Sequence, residues 1–253
     1  MFFRREAHRS VFRFPSEFLR AYNRGYMTLL AAARSLKAKT VSAAELADLT
    51  SVIRTQGLAG GVKEILEEPD SYDGDVYIHD GDLHVAGDLI VHKLGVLVLV
   101  VRGNLSVDGA YHDADDPQTI VVVTGDFQAR DVVTAGFLEV HGNVVVRDRV
   151  IGDYNDCQAW IGGDLTCALF YGEEHFFDLG GTLHATCLLG KPRMKSPHPI
   201  PKGIDMGDPR LLDVLDRELV TVYDEDGEIY VDGLKDFGKF KQRVLAGLPL
   251  KGA

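Results

Sequence analysis

The 253-residue chain has few cysteines and no long apolar run. Its three cysteines, an odd number, argue against a disulfide framework and indicate a reducing compartment. The longest apolar run, residues 95–101, is far shorter than the roughly 20 residues that a membrane span needs, and no signal peptide is visible. The sequence therefore predicts a cytoplasmic protein with no membrane partner.

Basic residues are scarce in the middle of the chain. Residues 68–190 contain 21 Asp and Glu but only 5 Lys and Arg, which gives this segment a net charge of −16, against −11 for the whole chain. Phosphate contacts need Lys and Arg, and we therefore expect no nucleic-acid partner. Opposite potentials steer association, which makes a protein with a basic surface the expected partner.

Motifs for catalysis are missing as well. The chain has no Gly-rich phosphate loop, no nucleophile elbow and no paired-cysteine metal motif. Three loop clusters contain carboxylates, but none has the fixed spacing of a metal site or of a general acid–base pair. They are His112, Asp113, Asp115 and Asp116; Asp153, Asn155 and Asp156; and Glu173, Glu174 and His175. The sequence predicts a protein that is not an enzyme and holds no cofactor or metal.

What the chain does contain is a repeat centred on glycine. At six glycines, apolar residues occupy offsets −4, −2, +2 and +4, and no polar residue interrupts these columns. The centres are Gly87, Gly103, Gly125, Gly142, Gly163 and Gly181. Alternation with a period of 2 on both sides of a glycine is typical of two strands joined by a corner. Its recurrence every 16 to 22 residues is typical of a solenoid.

The predicted fold is mainly β with helical flanks. Residues 71–190 are expected to form a single-stranded parallel β-helix of about six coils, with offsets ±2 and ±4 stacked inside. The unequal spacings favour short and long coils that alternate, with the extra residues on one side. One turn that contains two copies is the alternative.

Helical units are predicted on both sides of the solenoid. Residues 1–70 are expected to form an N-terminal helical cap, in which a first helix ends near Leu36 and Ser42 with Glu45 makes a capping box for a second helix that runs to Gly57. A third short helix is expected at residues 62–66. An end coil exposes apolar side chains and unpaired backbone groups, so caps are expected at both ends.

Residues 191–253 are predicted to contain a crossing segment and a C-terminal helical unit. The crossing segment, residues 190–203, is basic and rich in proline. Two helices are expected after it, at residues 208–219 and 234–245, with a turn between them at residues 224–227.

One outer flank of the solenoid is also expected to be apolar. Offsets −5 and −3 place large apolar residues on the outward face: Val98, Val100, Ile120, Val122, Phe137, Trp160 and Phe176. Strands that are apolar on both faces are typical of sheets buried on both sides. The N-terminal helices are the expected cover, and a second copy of the chain or another protein is the alternative.

The repeated strand, Gly-Asp/Asn-Leu, strand pattern of residues 74–190 resembles bacterial β-solenoid proteins of the polymer-forming, bactofilin-like group. Solenoids with helical flanks also resemble proteins found beside bacterial secreted toxins. The first resemblance implies a self-assembling scaffold, and the second implies an immunity protein that binds and neutralises a toxin domain. The folded flanks depart from the bactofilin-like pattern, in which the ends are short and disordered.

We expect a protein-binding solenoid of the immunity type, which binds its partner through an acidic or apolar outer surface. A polymer-forming scaffold and a trimeric β-helical metalloenzyme are the alternatives, and a homo-oligomer is left open. The predicted partner-binding residues are acidic loop residues and one aromatic: Asp113, Asp115, Asp116, Asp153, Asp156, Glu173, Glu174 and Trp160.

Overall fold

The computed structural model describes residues 42–68, 74–116, 118–154 and 156–252, and the backbone of residues 34–36. Most of the described strands belong to two long sheets. Sheet A contains β1 (Arg34–Leu36), β2 (Asp75–Asp80), β5 (Val96–Arg102), β7 (Ile120–Val123), β9 (Phe137–Val140), β11 (Gln158–Ile161), β13 (Phe176–Leu179) and β15 (Met194–Lys195). Sheet B contains β3 (Leu83–Val85), β4 (Leu89–Ile90), β6 (Leu105–His112), β8 (Phe127–Thr134), β10 (Val144–Gly152), β12 (Leu165–Tyr171) and β14 (Leu183–Leu189).

The chain alternates between the two sheets. Each coil has one strand in sheet A, a tight corner, a strand in sheet B and a loop that returns to sheet A. The strands of successive coils pair in parallel, and β1 is antiparallel to β2. The chain makes about six coils between β2 and β14, which confirms the predicted parallel β-solenoid.

A continuous apolar core lies between the two sheets. In sheet A, the offset −2 residues pair from coil to coil in the order Val101, Val123, Val140, Ile161 and Leu179. In sheet B, the offset +2 residues pair in the order Leu105, Phe127, Val144, Leu165 and Leu183. All ten side chains are buried, so the predicted inner columns are confirmed for these five coils.

The first coil differs from the predicted register. Leu83 and Val85 pair with Leu105 and Val107 of the next coil, so the corner glycine of the first coil is Gly81, and the predicted centre at Gly87 is wrong. The four apolar residues around Gly87 are all buried, which is why they satisfy the same sequence pattern; they are Leu83, Val85, Leu89 and Val91.

The corners are held by a ladder of Asp and Asn side chains. Each Oδ1 accepts a hydrogen bond from the backbone N–H of the corresponding residue in the next coil, at distances of 2.7–2.9 Å. The ladder runs Asp82, Asn104, Asp126, Asn143, Asp164 and Thr182. Charged and neutral side chains alternate, so like charges are about 10 Å apart, close to the screening length at physiological salt.

Glycine is needed beside this ladder because successive corners approach closely. A Cβ on Gly125 would lie 2.8 Å from the carbonyl oxygen of Gly103 and against the Asn104 side chain. Real Cβ atoms do not approach backbone oxygens this closely, which explains why the corners require residues without a side chain.

Two N-terminal helices cover part of the outer face of sheet A. Helix α1 (Ala43–Ser51) begins at the predicted capping box, in which Ser42 and Glu45 bond each other's backbone N–H. Helix α2 (Gln56–Glu67) follows it. The two helices form one apolar cluster with the outward residues Val98, Val100, Ile120 and Val122. The chain itself therefore covers this part of the predicted apolar flank.

Polar contacts fix these helices to the sheet. Glu139, 2% exposed on β9, accepts hydrogen bonds from the backbone N–H groups of Arg54 (2.8 Å) and Thr55 (2.9 Å) at the start of α2. His141 Nε2 lies 2.8 Å from Oε1 of the same carboxylate. Burial alone would raise the pKa of Glu139, but these hydrogen bonds outweigh it and lower the pKa. At the edge of the sheet, Arg102 pairs with Asp48 of α1 at 2.6 Å.

The C-terminal unit covers the part of the outer face of sheet B that lies near the ends of the strands. It contains α3 (Leu211–Val214), a 3-10 turn (Arg217–Leu219), the antiparallel hairpin of β16 (Val220–Glu225) and β17 (Glu228–Leu234), and α4 (Phe237–Leu245). Its apolar residues form one cluster with the outward residues near the ends of the sheet B strands: Val133, Ile151, Leu169, Tyr171 and Leu189.

A buried ion cluster joins α4 to sheet B. Asp131 is fully buried and binds Arg149 through both oxygens, at 2.6 and 3.0 Å, and Arg130 at 2.7 Å. Arg130 donates in turn to the carbonyl oxygen of Leu245 (3.1 Å), the last residue of α4, and Arg149 donates to that of Leu248 (2.6 Å), which follows the helix. Cations stabilise this end of a helix, where the carbonyls lack partners within the helix.

Several predicted elements differ from the structure. The predicted first helix lies largely outside the described residues, but its end at Leu36 is wrong because residues 34–36 form β1. The second predicted helix is divided into α1 and the start of α2, and the predicted C-terminal helices are shorter. The predicted turn at 224–227 is the tip of a hairpin. Helical caps over the two ends are not confirmed, because the described helices pack on the flanks.

The crossing segment lies on the last coil. Ser196 donates its hydroxyl to the carbonyl of Gly181 at one corner, and Ile204 pairs with Leu188 and Gly190 at the far end of β14. The residues between them are mostly exposed and include three prolines, which have no N–H to donate to another strand. The longest helix among the described residues has 12 residues, too few to cross a membrane.

Candidate functional site

The loops that leave sheet B form one edge of the solenoid, which we call the loop edge. Its described residues are 113–116, 118–119, 135–136, 153–154, 156–157, 172–175 and 190–193. The carboxyl ends of parallel strands meet at the same edge of a sheet, so the three acidic clusters, which are far apart in sequence, lie in loops along this one edge. Contacts between the loops confirm that they lie along one edge. His175 Nδ1 lies 2.8 Å from the Tyr154 carbonyl of the preceding loop, and Gln118 Nε2 lies 3.0 Å from Cys157 Sγ, past the short loop of residues 135–136.

Four of the predicted partner-binding residues are exposed on the loop edge. They are Asp115, Asp116, Asp156 and Glu174. The Asp156 carboxylate accepts a hydrogen bond from the Tyr154 hydroxyl at 2.9 Å, and this hydrogen bond raises the pKa of Tyr154. These four carboxylates face solvent and are the part of the predicted set that a partner can reach.

Asp113 is not part of this surface, because it is fully buried. Its carboxylate accepts hydrogen bonds from Tyr111 Oη and Thr134 Oγ1, both at 2.9 Å, and from the backbone N–H groups of Ala135 (2.6 Å) and Gly136 (2.8 Å). Burial raises the pKa of Asp113 in spite of these four bonds. The residue joins two adjacent loops and cannot contact a partner.

Asp153 and Glu173 are half-buried and bind groups within the chain. Asp153 forms an ion pair with Lys241 of α4, and burial raises its pKa while Lys241 opposes the rise. Glu173 accepts a hydrogen bond from the backbone N–H of Lys191 at 2.9 Å. Both carboxylates contribute negative potential to the loop edge, but their hydrogen-bonding capacity is partly used.

Trp160 lies away from the loop edge, on the outer face of sheet A. Its ring stacks on Phe137, with centroids 6.0 Å apart, and both rings pack against the cluster formed by α1 and α2. Trp160 is therefore partly buried beside the chain's own helices, on a strand and not in the loops that hold the exposed carboxylates.

Two histidines and a lysine lie together where α4 meets the solenoid. His92 and His112 contact edge to face, with ring centroids 5.0 Å apart, and burial lowers the pKa of both, that of His112 to about 3. Lys241 and Asp115 also act on His92 electrostatically. The His92 Nδ1 atom is buried without a hydrogen-bond partner among the described residues. The position of Lys241 beside the two histidines could not be predicted from the sequence, because it depends on the tertiary packing of α4 against the solenoid.

The chemistry available near the loop edge is limited. Burial raises the pKa of the Cys157 thiol in the loop edge, and that of the Cys167 thiol in the core, to about 12, so neither is a thiolate nucleophile at neutral pH. Among the described residues, no three His, Cys, Asp or Glu side chains are placed to hold a metal ion. The exposed carboxylates can form ion pairs and accept hydrogen bonds, and this is the chemistry of a binding surface.

Comparison with known proteins identifies no relative. No protein-family model, no curated protein sequence and no solved structure matches the chain.

Proposed function

We propose that this protein is a non-catalytic, protein-binding β-solenoid whose loop edge binds a partner with a basic surface. The observation that supports it is the placement of four exposed carboxylates, Asp115, Asp116, Asp156 and Glu174, in loops on one edge. Opposite charges accelerate encounter and fix the register of a complex, so a stacked row of carboxylates suits a basic protein surface.

The loop edge is a better candidate for the binding surface than the apolar outer faces of the two sheets, because the chain itself covers much of their apolar area. The N-terminal helices cover much of sheet A's outer face, and the C-terminal unit covers the outward residues near the ends of the sheet B strands. These apolar residues have partners within the chain. The loop edge projects from the solenoid and carries residues whose side chains face solvent.

The narrower role is that of an immunity-type protein, which neutralises a toxin domain by occluding its active site. This role predicts a stable complex in which the partner's activity falls as the protein is added. The polymer-forming role is less well supported, because the proline-rich crossing segment lies along the last coil and offers few N–H groups for another strand.

The experiment is affinity capture with the full chain in its native host, followed by titration of the captured protein. A fourfold variant with Asp115, Asp116 and Asp156 replaced by Asn and Glu174 replaced by Gln should lose the partner. A matched control removes four other exposed carboxylates, none of them in the hairpin or the loop edge: Glu67, Glu68, Asp108 and Asp213. The control should retain the partner, because it has the same net charge as the variant. Equal binding by the two variants would refute the role of the loop edge.

A further inference from the structure

The hairpin of β16 and β17 presents a second surface, separate from the loop edge. Its two-residue turn has Asp226 at φ 54° and Gly227 at φ 84°, the left-handed conformations that a tight hairpin turn requires. Val222 and Val231 pair on the face that packs against the C-terminal cluster. The opposite face of the hairpin has no partner among the described residues.

Two tyrosines dominate this outer face. Tyr223 and Tyr230 are directly opposite each other in the antiparallel ladder, and they are 51% and 48% exposed. The two tyrosines are the only aromatic residues among the six large apolar side chains that are exposed in the described part of the chain. Exposed aromatic residues concentrated in one place are typical of binding surfaces.

The charged residues of the hairpin all have the same sign. Residues 220–234 contain no Lys or Arg, and their acidic residues are Asp224, Glu225, Asp226, Glu228 and Asp232. Glu225 and Glu228 are directly opposite each other on the same face as the tyrosines. Like charges at such a position destabilise a sheet. A cation placed between the two carboxylates would remove this repulsion.

We propose that this face, composed of Tyr223, Tyr230, Glu225 and Glu228, binds an arginine-containing segment of a partner protein. A guanidinium stacks on an aromatic ring and at the same time donates a planar pair of N–H groups to a carboxylate. The face offers both an aromatic pair and a carboxylate pair. The Tyr230 hydroxyl donates to Glu228 at 2.7 Å, which orients the ring and the carboxylate toward each other.

Arginine suits this face better than lysine for a geometric reason. The ammonium group of lysine is strongly hydrated and has no plane that stacks on tyrosine. Both side chains gain from the negative potential, but only arginine gains from the ring and the carboxylate together. The inference does not depend on the loop edge, which lies on the solenoid.

The test measures fluorescence anisotropy of two labelled peptides, four repeats of Arg-Gly-Gly and four repeats of Lys-Gly-Gly, with the full chain at about 0.15 M salt. The arginine peptide should bind about tenfold more tightly than the lysine peptide. The double variant Tyr223→Ser and Tyr230→Ser should weaken arginine-peptide binding about tenfold with no change in net charge. Val145→Ser, at a position 44% exposed on β10, is the control and should leave the affinity unchanged.

A second variant distinguishes loss of the binding surface from loss of folding. Glu225→Gln together with Glu228→Gln should raise the urea concentration needed for unfolding, because it removes the repulsion, and should still weaken binding of the arginine peptide. The fourfold loop-edge variant should bind the peptide like its matched charge control. Equal affinity for the two peptides, or unchanged affinity in the tyrosine variant, would overturn the proposal.

Discussion

The pH dependence of stability tests the burial of His175 beneath the loop edge. Its side chain is fully buried, Nδ1 donates to the Tyr154 carbonyl at 2.8 Å, and Nε2 has no partner among the described residues. The pKa of His175 is lowered to about 4, mainly by burial and to a smaller extent by the nearby Arg193. The folded protein therefore holds this imidazole in its neutral form at neutral pH.

The expected magnitude follows from linkage between protonation and folding. Because the pKa is lower in the folded state than its ordinary value of 6.5, the unfolded chain binds the proton more tightly, and stability is lost as the pH falls below about 6.5. At pH 5 the unfolded imidazole is almost fully protonated, whereas the folded one is mostly neutral. The difference lowers the free energy of unfolding by about 2 kcal/mol relative to pH 8.

The assay compares urea unfolding of wild type and His175→Leu at pH 8 and pH 5. The variant loses the hydrogen bond to Tyr154 at both pH values, so that cost of about 1–3 kcal/mol cancels in the comparison. Wild type should lose about 2 kcal/mol more than the variant between the two pH values. His198→Leu, at an exposed position, is the control and should behave like wild type. If His175→Leu loses as much stability as wild type, the imidazole is not buried in neutral form.

Three further substitutions test the solenoid itself. Asp131→Asn should lower the free energy of urea unfolding by about 3 kcal/mol, because Arg149 then holds a buried charge without its partner; a loss below about 1 kcal/mol would contradict this. Leu165→Asp should unfold the solenoid, whereas Gln128→Asp, at an exposed position, should cost less than about 0.5 kcal/mol; equal effects on thermal unfolding would show that the register is wrong. Asn104→Asp should lower the melting temperature more at low salt than at high salt, because it places a carboxylate about 5 Å from those of the adjacent coils; absence of this salt dependence would contradict the alternating ladder.

The inner columns could be predicted because the inward face of every strand is buried in the same core. The side chains of residues such as Val123 and Leu165 lie entirely in the core between the sheets. Every second residue of these strands is therefore apolar, without interruption. The first coil shows where this reasoning fails. Leu89 and Val91 are also buried, yet they follow Gly87, which is not at a corner. Alternating apolar residues indicate which side chains are buried, but they do not indicate which glycine lies at the corner between two strands.

The helical flanks could be predicted only in part because their positions depend on tertiary contacts. The capping box at Ser42 is local, and the sequence places the start of α1 correctly. The packing of α2 on sheet A depends on Glu139, more than 80 residues away, whose carboxylate binds the backbone at the start of the helix. The same limit applies to the site. Asp113 and Asp115 belong to one loop and one cluster in sequence, but only Asp115 faces solvent.

The two edges of the solenoid differ in how much change in length they tolerate, and this difference supports the proposal that the loop edge is the binding surface. Between sheet A and sheet B the corners have two or three residues in every coil, and their side chains bond the next corner, so an insertion would break the ladder. Between sheet B and sheet A the loops vary from two residues (135–136) to seven (113–119) without a change in strand pairing. Loops that vary in length on a rigid scaffold are where proteins commonly place recognition. The exposed carboxylates lie in the longer loops, where their positions are free of the constraint that fixes the corner residues.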